Sequence, residues 1–444
     1  MYKSSYIKEA EKKLPIWGNY DVIVGGGGAA GFPAAVAAAR NGAKTLLIEK
    51  FGFLGGTATA GLMVEFGSLS DRKRQIVGGI THEFIHRMID FGGCCYDDLE
   101  IHKGNTRFDP ETYKTVARQM CLESGVDILY HSWIAGVIKE NALIKGVIVE
   151  NKGGRGVFLG KAVVDCTGDG DIAWQSDVPF DKGNEKGLMQ PMTSVFLVGD
   201  VNHDRFVEAK VDFISLYKEA RKNGDLTVPV ERPGSTGRVI RKDREEDSKR
   251  CEYFINGTNI LEVDGTDPWE LTRAEIEARG QVRELIKVFR KYVPGFEKCY
   301  LVETAAYIGV RETRRIVGHY TLTAEDVLER NKFDDRIVLA HNQIDIHDTD
   351  SHSFELIFLP DGESYQIPYR SIVPQGIENL LMAGRCISAA HEALGSARVM
   401  VIAMPLGEAA GVAAALVAQS GCYARQLDVS LLQSTLLEQG AILD

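Results

Sequence analysis

Asn19-Tyr20-Asp21-Val22-Ile23-Val24-Gly25-Gly26-Gly27-Gly28-Ala29-Ala30-Gly31 decides the fold, because a short apolar run enters a glycine-rich turn without a break. Phe32 to Arg40 follows as an Ala-rich helix. Asn41-Gly42 stops that helix with residue types able to turn left-handed, and Lys44 to Ile48 forms a second strand closed by Glu49. Gly26, Gly28 and Gly31 thus fall on G-x-G-x-x-G inside a complete βαβ unit. The first Gly makes the tight turn, the second lets backbone approach a pyrophosphate, and the third lets helix and strand pack closely. Ala30 enters the helix, whose free N–H groups offer partial positive charge to phosphates. Glu49 stands where a carboxylate accepts both ribose hydroxyls and disfavours a 2′-phosphate, so the pattern points away from NADP.

The chain of 444 residues is 44% hydrophobic and 25% charged, the composition of an ordinary globular protein long enough for two or three domains. Its formal charge of −11 repels polyanions, so no nucleic-acid partner is expected. Met1 to Lys13 mixes charges with no apolar run suited to a signal peptide. The most apolar stretch, Val399 to Ala418, is interrupted by Pro405, Gly407 and Glu408, so no membrane span is expected. Eight cysteines without a Cys-x-x-Cys pair suit a reducing, cytoplasmic setting, with Cys94 and Cys95 as ordinary free thiols.

Beyond Glu49 come Lys50 and Gly55-Gly56-Thr57-Ala58-Thr59, a second glycine pair that lets backbone pass close to a large ligand, with two hydroxyls beside it. An NAD enzyme has no need of this, and FAD is the expected cofactor. Asp109-Pro110 caps a helix reaching Ser124-Gly125, and Val126 to Tyr130 reads as a strand. Trp133 to Lys139, which contains Ile134, then Leu143 to Glu150 and Gly156 to Leu159 read as an antiparallel meander. Ala162 to Cys166 reads as a strand ending in Thr167-Gly168-Asp169-Gly170-Asp171.

These segments, with Arg311-Glu312-Thr313-Arg314-Arg315, Ile344-Asp345-Ile346-His347, Leu381-Met382-Ala383-Gly384-Arg385, Gly395 to Met400 and Gly407 to Gly411, resemble over almost the whole chain the FAD-dependent oxidoreductases with a glutathione-reductase-type FAD fold, relatives of the fumarate reductase flavoprotein. The resemblance implies that Thr167, Gly168 and Asp169 approach the FAD phosphates and sugar. It further implies that Gly384 and Arg385 lie at the ribitol and pyrophosphate, and that a final helix beginning near Arg398 and Val399 faces the flavin pyrimidine. Many such proteins carry Asp where this chain has Arg385. No Cys lies between Glu49 and Gly61 and no second strand-anchored G-x-G-x-x-G follows, so a redox dithiol and a dedicated NAD(P)H domain are not expected. The electron donor or acceptor is left unidentified.

The expected fold is α/β, a Rossmann-like FAD-binding domain with a parallel sheet and β-meander, assembled from residues 15–179 and 365–444. An α+β substrate or cap domain is inserted at 180–364. Within the insertion the reading expects one helix over Phe206 to Gly224, a capping box at Thr272 to Glu275 and a solvated charge run from Arg238 to Arg250. Gln190-Pro191-Met192-Thr193 reads as structural. Arg311 and Arg314 offer guanidinium forks for a carboxylate or carbonyl. Asp345 and His347 share one face of a strand-like run, where an imidazole can move a proton. His391-Glu392 is a second acid–base candidate, and His352 lies in a Ser-rich turn.

The expected activity is hydride transfer between flavin N5 and a small polar or anionic metabolite. A homo-oligomer is compatible with the sequence. One alternative keeps FAD without net redox, for isomerisation or elimination. A second is a zinc peptidase, since His82-Glu83-Phe84-Ile85-His86 matches H-E-x-x-H, although Ile89 and Gly92 break the extended form. The preferred reading carries no metal.

Overall fold

The computed structural model describes residues 7, 9, 11–94, 106–240, 250–347, 349 and 354–444. Cys95, Asp348, His352 and the 241–249 part of the charge run lie outside them. Strand β1 (Ile16–Gly25) runs into the glycine turn, α1 (Gly31–Arg40) leaves it, and β2 (Thr45–Ile48) returns in parallel beside β1. Next come α2 (Gly79–Asp90) and α3 (Pro110–Glu123), the latter capped by Asp109, whose side chain accepts from the N–H groups of Glu111 and Thr112. Strand β3 (Asp127–Leu129) joins β2 in parallel. The meander is β4 (Trp133–Glu140), β5 (Leu143–Asn151) and β6 (Gly154–Asp165). Its last member is one strand where two were expected, because β6 pairs with β1 along most of its length while its first half also pairs with β5.

After the short α4 (Asp171–Gln175) and β7 (Phe180–Lys182), a second layer forms. It contains β8 (Phe196–Asn202), α5 (His203–Ala209), α6 (Phe213–Lys222), β9 (Ser235–Arg238), β10 (Arg250–Asn256), α7 (Pro268–Tyr292) and β11 (Tyr300–Thr304). Its four strands form an antiparallel sheet, β11-β8-β10-β9, over a separate core that includes Phe196, Tyr217, Phe289 and Phe296. Two expectations are corrected here. The helix expected over 206–224 is two, broken where Lys210 takes a φ of 44°. The helix expected to start at Thr272 starts instead after Asp267, whose side chain accepts from the N–H of Trp269 and Glu270, while the Thr272 hydroxyl donates to the Pro268 carbonyl at 2.7 Å. Asp267-Pro268 is the same cap-and-first-turn pair as Asp109-Pro110.

The remaining strands are β12 (Arg314–Ile316, paired with β7), β13 (Arg336–Ala340), β14 (Ile344–His347), β15 (Phe354–Ile357), β16 (Tyr365–Pro368) and β17 (Leu380–Met382), with α8 (Ala324–Leu328) among them. β14 pairs with β15 and β13 with β16, and β17 returns to the first sheet, parallel to β6. α9 (His391–Ala397), α10 (Met400–Ser420) and α11 (Val429–Glu438) close the chain. Ile316, Val327, Leu339 and Ile344 share the large core with Val22 to Val24. We therefore propose that the inserted unit is about 192–310 and that the chain from about 316 onward belongs with the nucleotide-binding part.

α10 is apolar and long enough to cross a membrane, and it is packed inside this core against α1. A Cβ at Gly407 or Gly411 would strike the carbonyls of Ala30 and Ala34, so two glycines one turn apart set the close approach of the two helices. Glu408, between them, is 1% exposed and accepts from the Ile80 N–H at 3.0 Å, and burial pushes its carboxyl from 4.5 up to about 8. A carboxyl whose folded pKa is raised contributes fully below about pH 4.5 and loses that contribution as pH rises to about 8. Glu408→Gln is therefore expected to melt at a higher temperature than the parent at pH 9, with a smaller gap at pH 5. Parallel melting curves check this, and equal gaps at both pH values would show that Glu408 is already ionised in the fold.

Candidate active site

A cavity of about 850 Å³ runs from the glycine turn between the two layers. At one end Gly26, Gly28, Ala30 and Glu49 line it. Gly26 has a φ of 91°, and a Cβ at Gly31 would strike the Gly26 carbonyl, so the first and third glycines serve the turn and the helix contact. A Cβ at Gly28 would meet only the Gly56 Cα, at 3.9 Å, which leaves its free face to the cavity. No side chain caps α1, its Gly31 and Phe32 N–H groups donate to Gly28 O at 3.0 and 3.3 Å and Pro33 has none, so the turn presents bare backbone and the positive end of the helix dipole to the cavity. Glu49 is 5% exposed, and its Oε2 and Oε1 accept from the N–H of Gly27 at 2.7 Å and of Phe51 at 2.8 Å. Burial raises its pKa against these bonds. Two hydroxyls donated to the remaining lone pairs would favour the charged form.

Lys50, Gly56, Thr57 and Ile134 also line the cavity, whereas Gly31, Gly55 and Thr59 do not. Gly55, with a φ of 114°, donates its N–H to Gly27 O at 2.8 Å, and Thr59 donates its hydroxyl to Leu54 O at 2.8 Å. Those two shape the loop. Along the middle lie Thr167, Gly168, Asp169, Gly384 and Arg385. Buried Asp165 holds this loop, its Oδ1 accepting from the Thr167 hydroxyl at 2.7 Å and its Oδ2 from the Ala173 N–H at 2.9 Å. Arg385 pairs with Asp169 at 2.9 Å, and Thr313 donates to the same carboxylate at 2.6 Å. Burial works to raise the Asp169 pKa, and the Arg385 charge and these bonds outweigh it and lower it. Arg314 sits here too, bound to Asp171 and to Asp169 O at 3.0 Å each and stacked 4.5 Å from Trp174.

At the far end Arg311, Asp345, His347, Arg398 and Val399 line the cavity at the start of α10, whose N-terminus no side chain caps. His347 Nε2 lies 3.4 Å from Asp345 Oδ1, and the ring stacks on Phe354 at 5.3 Å. Burial, then the Arg311 charge, lowers the His347 pKa to about 4 against the pull of Asp345. Arg398 Nη2 donates to Asp345 O at 3.1 Å and to Gln190 Oε1 at 3.3 Å. Arg311 Nη1 donates to Pro191 O at 2.6 Å, and Arg311 makes no ion pair among the described residues. Burial and the nearby Arg398 charge lower its pKa to about 9. Gln190-Pro191, read from sequence as structural, thus grips both guanidiniums with neutral oxygens. Two residues separated in sequence from both arginines gave no spacing signal.

The structure brings Arg311, His347 and Arg398 together and sets Arg314 apart, beside Asp169 and Asp171. His391 is off the cavity, buried behind it with Nδ1 2.8 Å from Glu312 Oε2. Glu312 also pairs with Arg315 and accepts from the Gln190 N–H at 3.2 Å, so His391 belongs to a network supporting the wall. His82 and His86 lie on α2, outside the cavity, with their Nε2 atoms 2.9 Å apart. Between them Glu83 is held by Arg40 at 2.6 Å and Arg87 at 2.8 Å. Among the described residues no cluster of three or more His, Cys, Asp or Glu is arranged to hold a metal ion.

A cavity of this volume with a buried carboxylate, Glu49, a side-chain-free glycine face and two helix N-termini without side-chain caps fits FAD. The sequence pattern of the FAD dependent oxidoreductase family matches residues 21–436, and the chain belongs to that family. FAD is its cofactor and it is an oxidoreductase. Among curated proteins it is similar to a dihydrolipoyl dehydrogenase of Trypanosoma brucei brucei, 56% identical over 44 residues, which are 10% of this chain and only 9% of that protein. Among solved structures it is similar to a geranylgeranyl bacteriochlorophyll reductase-like protein of Thermoplasma acidophilum, at 15% identity and a TM-score of 0.45, covering 95% of this chain and 84% of that one. It is also similar to an anhydrotetracycline hydroxylase of Streptomyces rimosus, at 11% identity and a TM-score of 0.44, covering 95% of this chain and 66% of that one.

Glu49→Ala is expected to weaken FAD by about 1.5–3 kcal/mol, the range for hydrogen bonds to a charged group. It adds no cation and so should give no preference for a phosphorylated ribose. Fluorescence titration of the apoprotein measures this, and unchanged affinity would remove Glu49 from the ribose site.

Proposed function

We propose that the protein transfers two electrons between FAD and a small anionic metabolite, with the metabolite seated at the Arg311–His347 end of the cavity. Bound FAD supplies hydride acceptance or donation at its N5. Arg311 binds the anion, and its N–H donors not used on Pro191 are free to form a fork to a carboxylate. His347, neutral above about pH 4, holds or takes the proton, while Asp345 fixes the ring. Arg398 and the α10 N-terminus stabilise negative charge beside them. The inserted layer contributes Arg232, Ser235 and Asn256 to the cavity lining.

The observation that supports this reading is Arg311, a buried cation on the cavity wall that makes no ion pair with a described carboxylate and shares the Asp345 charge with Arg398. An unpaired buried charge is costly, and a bound anion relieves that cost. Anaerobic mixing of the yellow holoenzyme with a panel of metabolites tests the reading. Loss of the oxidised flavin bands with a small anion is the expected result. Bleaching by large neutral compounds alone would overturn it.

A further inference from the structure

We infer that the Arg311 end of the cavity recognises a carboxylate bearing a hydroxyl on the adjacent carbon, a 2-hydroxy acid. This rests on the reading of that end as the substrate site. Asp345 can only accept a hydrogen bond, so the His347 nitrogen facing it, Nε2, carries the ring proton. Nδ1 is then a lone pair, and among the described residues it has no hydrogen-bond partner. It suits a donor such as a substrate O–H and cannot donate to a carbonyl.

The charges around it select the rest. Arg311 and Arg398 bring two positive charges and Asp345 one negative, Arg232 lies over the Phe354 ring that stacks on His347, and His347 is neutral, so among the described residues this end of the cavity carries excess positive charge. A carboxylate suits that excess. An ammonium group in place of the hydroxyl would face two guanidiniums, and Asp345 is already engaged by His347 and Arg398. Gln190 Oε1 and Pro191 O orient both arginines without cancelling either charge. Arg311 and His347 line the same cavity, so one ligand there can meet both groups.

For a bound 2-hydroxy acid the redox step balances. The O–H bond breaks and its proton passes to His347 Nδ1. The C–H bond on the same carbon breaks and its hydrogen leaves with both electrons as hydride to FAD. The carbon–oxygen bond becomes C=O, giving a 2-oxo acid and reduced cofactor.

Calorimetric titration of glycolate and of acetate into photoreduced, anaerobic holoenzyme at pH 7 tests recognition without turnover. Glycolate is expected to bind about 10-fold or more tightly than acetate, the worth of one hydrogen bond to a buried partner. His347→Phe should erase that advantage and leave acetate bound. Arg311→Met should weaken both about 10- to 100-fold, with Arg311→Lys between it and the parent, as expected for a charged fork. Gln190→Glu, which sets a carboxylate against Arg398 and leaves Arg311 and His347 intact, should weaken both ligands as well. FAD content and melting curves accompany each variant. Equal binding of glycolate and acetate, or binding indifferent to Arg311 and Gln190 in folded variants, would overturn the inference. Flavin bleaching by some other anion would in that case leave the redox reading standing.

Discussion

Gly28→Val is expected to yield a folded chain that purifies without FAD. A Cβ at residue 28 meets no protein atom closer than the Gly56 Cα at 3.9 Å, so the turn itself tolerates the side chain. The branched carbons beyond it enter the cavity between the uncapped end of α1 and Gly56, where a pyrophosphate must lie against backbone. The neighbouring glycines behave differently, since Gly26 has a φ of 91° and Gly31 contacts the Gly26 carbonyl, so substitutions there damage folding first. Visible absorption and a melting curve on the same preparation separate the cases. Full flavin content in Gly28→Val would remove this loop from the cofactor site.

His347→Ala should slow flavin reduction in single turnover by about 10²–10⁴-fold, the range for a lost general acid or base, with FAD retained. The ring is neutral above about pH 4, because burial and Arg311 disfavour the imidazolium. In the parent, the reduction rate should therefore stay level from pH 8 down to about 5 and fall as pH approaches about 4. The same shift makes a stability statement. A His whose folded pKa is lowered resists protonation in the fold, so its contribution is present above the unfolded value near 6.5 and is lost as pH drops towards 4. Stopped-flow reduction and melting curves across this range distinguish the two effects. A variant that reduces at the parent rate but melts lower would make His347 a packing residue beside Phe354.

Much of this was legible because the signals are local. The glycine turn, the strand-end Glu49 and the pairing of Asp345 with His347 across alternate strand positions each depend on residues close in sequence. What escaped depends on tertiary contacts. Thr59 has the residue type of a ligand contact, and its hydroxyl is spent on Leu54 O inside the loop. His391 precedes the helix at the flavin end, yet buried Glu312 draws it behind the wall. Arg314 stands three residues from Arg311, but on β12 its guanidinium turns to Asp171 and Trp174. Gln190-Pro191 acts on arginines 120 and 208 residues away, a distance that no local pattern spans.

We propose that FAD lies along the cavity with its ribose at Glu49 and its reactive ring at the Arg311–His347 end. A crystal structure of the holoenzyme decides this. Ribose hydroxyls hydrogen-bonded to Glu49 and a flavin ring against the α10 N-terminus, facing His347, are expected. A ring seated instead beside Asp171 and Trp174, or a ribose away from Glu49, would overturn the proposal.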